Sequence, residues 1–145
     1  GLIDPAAKSG RIQMPTGSFQ LEELIRAFST LPFDLTFVDK DDTVRYFSPG
    51  KDRVFERSRT ILGRKVQYCH PPKSVYIVNQ ILADFKSGDQ DQARFWIQMG
   101  PRLVYIVYYA LRGEDGSYQG TLEVTQDATG IRELDGERRL LEYDQ

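Results

Sequence analysis

The segment Phe33–Pro49 constrains the chain most. Phe33, Leu35 and Phe37 alternate with Asp34 and Thr36, the period of two expected of a strand with one face on a core. Val44 and Tyr46 share one face of a return strand. Between them, Asp39-Lys40-Asp41-Asp42 supplies side chains that hydrogen-bond their own backbone and tolerate turn geometry, so the segment reads as a hairpin. Pro49-Gly50 ends the pairing.

A chain of 145 residues is the size of one domain with one core. Its net charge of -2 offers no broad field for nucleic acid or an anionic membrane surface. No apolar run approaches the roughly 20 residues of a membrane helix. The one cysteine, Cys69, excludes an internal disulfide and points to a reducing, cytoplasmic compartment. With one histidine beside it, a self-contained zinc site is not expected. No signal-peptide pattern is visible, and the opening at Gly1 reads as a piece of a longer chain, whose adjacent domains would be its partners.

In order, residues 1–17 read as a linker in which Arg11–Gly17 is open to a short extended segment broken by Pro15, and 18–31 as an N-terminal flanking helix. Ser18 is its expected cap, and Leu21, Leu24, Ile25 and Phe28 are its apolar positions before Pro32 stops it. Within a core spanning 32–128, short helical turns follow the hairpin. Pro71-Pro72 then open a longer helix with Val75, Val78, Leu82 and Phe85 as its stripe and Gly88 as its stop. Ala93–Met99 alternates as a strand. Leu103–Leu111 is apolar at nearly every position, and Tyr118–Val124 alternates again after the Gly113–Gly116 turn. In the middle strand Leu103, Tyr105, Val107 and Tyr109 are expected on the core, with Val104, Ile106 and Tyr108 meeting the N-terminal helix or a second subunit. Residues 129–145 read as an exit helix with Ile131, Leu134, Leu140 and Leu141 as apolar positions, capped by Asp127 or Thr129.

This order resembles a PAS domain. The resemblance rests on Phe37-Val38-Asp39-Lys40-Asp41 with Val44–Pro49, on Leu62-Gly63-Arg64 leading to His70-Pro71, and on Gly120–Val124 ending in Gln126-Asp127-Ala128-Thr129. A narrower similarity lies in Leu31–Asp39 and Tyr68–Val75, which look like the C-terminal PAS domain of prokaryotic proteins that also carry a hemerythrin-like, HHE-type cation-binding domain. The resemblance implies an α+β fold: a five-stranded antiparallel sheet with short helices and one longer helix on one face, plus flanking N- and C-terminal helices. It implies sensing or dimerisation rather than catalysis, and a homodimer is the expected assembly.

The cavity of such a fold would be lined by Phe37, Phe47, Phe55, Val66, His70, Val78, Leu82, Phe95 and Tyr105, around a small ligand. The plainer alternative is that these side chains fill the core. Asp127 and Thr129 would pass the signal into the exit helix. The identity of any cofactor is open. His70 is placed where some PAS domains hold a haem ligand, against a capping or hydrogen-bonding role set by Pro71-Pro72. Cys69 lacks the surroundings of flavin-attaching relatives and reads as a small packed hydrophobe. The cations Lys51, Arg53, Arg57, Arg59, Arg64 and Lys65 read as a solvated face or as an attraction for an anionic ligand. No catalytic constellation, phosphate loop or metal motif is present in the sequence. A ligand-free interaction module is the alternative function.

Overall fold

The computed structural model describes residues 10–50 and 53–144. Strands β1 (Arg11–Met14) and β2 (Gly17–Gln20) pair as a separate hairpin and lead into helix α1 (Leu21–Thr30). Strands β3 (Asp34–Asp39) and β4 (Val44–Phe47) precede two 3-10 helices, Arg59–Ile61 and Val66–Cys69, and then helix α2 (Pro72–Ser87). Strands β5 (Gln92–Met99), β6 (Arg102–Arg112) and β7 (Tyr118–Asp127) follow, and the short helix α3 (Thr129–Arg132) leaves the sheet. The five later strands form one antiparallel sheet in the order β4-β3-β7-β6-β5, so the segments on either side of α2 close into a single layer.

The β3–β4 turn follows from its acidic residues. Asp39 Oδ1 accepts from the backbone N–H of Asp41 at 2.9 Å and of Thr43 at 3.0 Å, and Asp42 sits at φ 66°, a region that Asp tolerates. The free edge of β4 then captures the next segment. The Val44 N–H donates to Arg64 O at 2.9 Å and the Val66 N–H to Asp42 O at 2.8 Å, which places the 3-10 helices over one face of the sheet. On the same side α2 begins at Pro72, and Gly88 at φ 86° ends it. Arg112 on β6 fastens its C-terminus by donating to Phe85 O at 2.8 Å.

Register defines the faces. Thr36 pairs with Glu123 and Val38 with Thr121, while Tyr108 also opposes Glu123 and Ile106 opposes Thr125. This inner face lies under α2, and Val38, Val44, Val66 and Leu82 form its apolar cluster. The expectation for β6 is therefore reversed: Val104, Ile106 and Tyr108 are on the inner face, and Tyr105, Val107 and Tyr109 are on the outer one. Apolar residues on both faces left no periodicity to choose between them.

Both termini depart from expectation. Where 1–17 reads as a linker and Ser18 as a helix cap, residues 11–20 form the β1–β2 hairpin; residues 1–9 lie outside the described residues. Ser18 is used across that hairpin, accepting from Arg11 Nε at 2.7 Å. The cap of α1 passes to Gln20, whose N–H donates to Glu23 at 2.8 Å in a capping box. At the other end the expected helix over 129–145 stops after α3. Gly136 is at φ 63°, and Leu134, Leu140 and Leu141 are exposed, so the apolar positions find no surface within the chain to hold a longer helix. Gln145 lies outside the described residues.

Candidate functional site

A cavity of about 520 Å³ separates the inner face of the sheet from the helices. Thr36, Val38, Ile106, Tyr108, Thr121 and Glu123 form its floor. Val66, Cys69 and His70 from the second 3-10 helix, with Val78, Ile81 and Leu82 from α2, form the wall, and Phe55–Ser58 close one side. That last segment is held in place by its neighbours. Arg53 donates to Ser48 O at 2.5 Å and Ser48 Oγ at 3.0 Å, and the Val54 N–H donates to Asp34 Oδ2 at 2.6 Å. Burial pulls the Arg53 guanidinium below its ordinary pKa, an effect the nearby Asp34 opposes.

The polar part of the lining is concentrated. Arg57 Nη2 donates to Glu123 Oε1 at 3.4 Å, and the two side chains are 23% and 11% exposed. Thr125 Oγ1 donates to the same Oε1 at 3.2 Å. Among the described residues no hydrogen bond reaches Glu123 Oε2 or the Tyr108 hydroxyl. Burial first, and the charge of Glu123 second, push the Tyr108 phenol well above its ordinary range, so it remains a neutral hydroxyl.

Of the residues expected around a cavity, Phe55, Val66, His70, Val78 and Leu82 line it. Phe37 does not: it lies on the outer face, its ring against Gly120. Tyr105 is on the outer face as well, opposite Trp96 with its hydroxyl 3.4 Å from Arg94. Phe47 and Phe95 share the inner face by register but lie beyond the lining. Phe47 sits under the Arg53 guanidinium at 5.7 Å, and Phe95 packs edge-on to Tyr108 at 6.0 Å from the edge strand. The expectation overweighted aromatics. It passed over Thr36, Tyr108, Thr121 and Glu123, because polar residues alternating along a strand read as a solvent face. The signal available was topological: β3 and β7 are central strands, and a central strand between covering layers has no solvent face.

Of the basic run, Arg57 and Arg64 line the cavity, Arg53 is folded against β3 and β4, and Arg59 and Lys65 are exposed; Lys51 lies outside the described residues. His70 Nδ1 donates to Val66 O at 3.0 Å, the hydrogen-bonding role weighed above. Cys69 is half-buried beside it. Among the described residues no group of His, Cys, Asp or Glu is arranged to hold a metal ion. A charged pair and a neutral phenol on the cavity floor match poorly with the apolar ring of haem.

The strand that carries Glu123 also carries the exit. Asp127 Oδ1 accepts from Thr129 Oγ1 at 2.6 Å and Thr129 N at 3.0 Å, bonds that hold its carboxyl below the ordinary range against a small desolvation effect. Thr129 Oγ1 in turn accepts from the Leu103 N–H at 2.9 Å, and the Ala128 N–H donates to Leu103 O at 2.8 Å. The chain therefore leaves the sheet pinned to the start of β6. No described helix is long and apolar enough to cross a membrane.

The family model of the PAS domain matches residues 24–129. The crystal structure of a C-terminal domain from Streptococcus mutans is 33% identical and superposes with a TM-score of 0.81, covering 86% of this chain and 97% of that one. The PAS domain of a protein from Colwellia psychrerythraea gives a TM-score of 0.53 at 15% identity over 76% of this chain and 98% of its own. A sensory box sensor histidine kinase from Vibrio cholerae gives 0.51 at 16% identity, over 73% of this chain and 89% of its own. These last two share the fold alone. No curated protein matches the chain. With a five-stranded sheet in PAS order, helices over its inner face and a family model spanning most of its length, the chain belongs to the PAS domain family.

Proposed function

We propose that this chain is a sensory and regulatory PAS domain that binds a small ligand in the cavity over its sheet and passes the change through its terminal segments. The observation that carries this reading is the lining itself: a half-enclosed space of about 520 Å³ in which Glu123 and Tyr108 have hydrogen-bonding capacity left unused by the protein. Side chains that filled a core would leave no such space; here both groups line a cavity open to solvent, where a ligand can take the place of water. The size falls within the roughly 300–1,000 Å³ of small-molecule sites.

Transmission follows from connectivity. Glu123, Thr125 and Asp127 share one face of β7, so a ligand that binds one arrangement of Glu123 better shifts the strand that ends in the Asp127–Thr129 clamp. Homodimerisation is part of the proposal. Along α1, Leu21, Ile25, Phe28 and Leu31 present an exposed apolar stripe that a second copy would cover. We place the domain beside a hemerythrin-like domain in a longer chain, on the strength of Leu31–Asp39 and Tyr68–Val75. The similar Streptococcus mutans structure is likewise a C-terminal domain. Thermal-shift measurement across a small-molecule set tests the ligand reading. Binders are expected to raise the melting temperature of the native chain and not of Val78→Trp, whose larger side chain occupies the cavity; shifts equal in both would refute it.

A further inference from the structure

The chemistry of the cavity narrows what it accepts, and this narrowing rests on the ligand-binding reading above. We infer that the ligand is an uncharged, largely apolar molecule carrying a hydrogen-bond donor and an acceptor side by side, as in a cyclic amide, with the donor for Glu123 Oε2 and the acceptor for Arg57 or Tyr108.

Charge balance excludes ions. The lining holds Arg57 and Arg64 against Glu56 and Glu123, two positive groups and two negative, and the inner pair Arg57–Glu123 is already in contact at 3.4 Å. An anion entering beside Arg57 meets Glu123 directly beneath, and a cation entering beside Glu123 meets Arg57. Either leaves one buried charge without a partner, which is costly away from water. A neutral molecule leaves the pair intact.

Unused hydrogen-bonding capacity excludes a hydrocarbon. Glu123 receives Arg57 and Thr125 on Oε1 alone, so Oε2 accepts from a ligand. Arg57 gives Glu123 one long contact and Glu56 O another at 3.4 Å, so its guanidinium has N–H groups in reserve. The Tyr108 hydroxyl has no protein partner among the described residues and is not sealed from solvent, so a ligand in the cavity can take the place of water there. An acceptor-only carboxylate beside donors is complementary to a donor–acceptor pair on one edge of a ligand. The rest of the lining, Val38, Val44, Val78, Leu82 and Ile106, suits an apolar ring.

A matched set of bicyclic probes separates the possibilities by NMR titration of the isotopically labelled chain. Oxindole offers donor and acceptor together, indole the donor alone, benzofuranone the acceptor alone, indole carboxylate an anion and tryptamine a cation. Oxindole is expected to bind at least about tenfold more tightly than each of the others, because a lost hydrogen bond to a charged group is worth about that factor. Glu123→Gln, which turns one acceptor into a donor, is expected to weaken oxindole at least about fivefold. Glu123→Ala, which removes the same acceptor, serves as the second variant should Glu123→Gln not fold. Tighter binding of indole, benzofuranone, the carboxylate or tryptamine overturns the ligand class and leaves the cavity reading standing. So does oxindole affinity unchanged in the folded variants. Binding of none of the five overturns both.

Discussion

Glu123 is held from one side, by Arg57 at 3.4 Å and Thr125 at 3.2 Å, beneath a mostly apolar space. Removing the cation leaves that carboxylate buried without its counter-charge. Arg57→Met is therefore expected to cost about 1–3 kcal/mol in urea denaturation, the lower part of the range applying because the contact is long and partly solvated. Tyr108 yields a pH prediction. Its folded pKa lies above the unfolded value of about 10, so the folded state retains the proton longer. Stability is whole below that value and falls as pH rises past it. Denaturation followed from pH 8 to 11 should show a decline that flattens in Tyr108→Phe, with the half-buried Tyr118 adding a residual slope of the same sign. At this scale the turn residue Asp39 and the hydrogen-bonding His70 were legible, because their roles are local. Glu123 and Tyr108 were not, since their meaning depends on which face of a strand is covered, which no local pattern states.

Among the elements, the β3–β7 pairing is the joint between the first hairpin and the last strands. Gly120 lies at φ 154°, where a Cβ would come within 2.5 Å of Val38 O and 2.8 Å of Phe37 Cε2. Gly120→Ala therefore combines a backbone conformation unfavourable to other residues with a clash against main chain. A loss of about 3 kcal/mol is expected in chemical denaturation. At the exit, Thr129→Val removes the hydroxyl bonds to Asp127 and Leu103, leaving the backbone N–H bond to Asp127, and is expected to cost about 1 kcal/mol while raising amide hydrogen exchange across Ala128–Arg132. Helix α2 could be read from its prolines, its stripe and Gly88, all signals within one turn of where they act. The β1–β2 hairpin could be read only in its first half, as an extended segment ended by Pro15; the four-residue return strand carries too few alternations to register, and Ser18 read as a helix cap instead. The exit helix was overread because helical spacing of leucines does not supply a surface to bury them.

For the whole molecule, the single five-stranded antiparallel sheet was legible through the resemblance to a PAS domain, whereas its strand order was not, because which edges pair across a long helix leaves no local pattern. The position of the cavity within that sheet did not follow, because it is set by the segment that docks on the edge of β4. Sedimentation is expected to give a dimer that Ile25→Glu converts to a folded monomer, through the exposed stripe of α1. A sensory role for the domain requires above all that the space over Glu123 hold a small molecule. Native mass spectrometry of this chain purified from its own host tests that directly. The expected result is a bound mass of a few hundred daltons or less, retained by the native protein and absent from Val78→Trp; the native protein and the variant both at their bare sequence masses would contradict it.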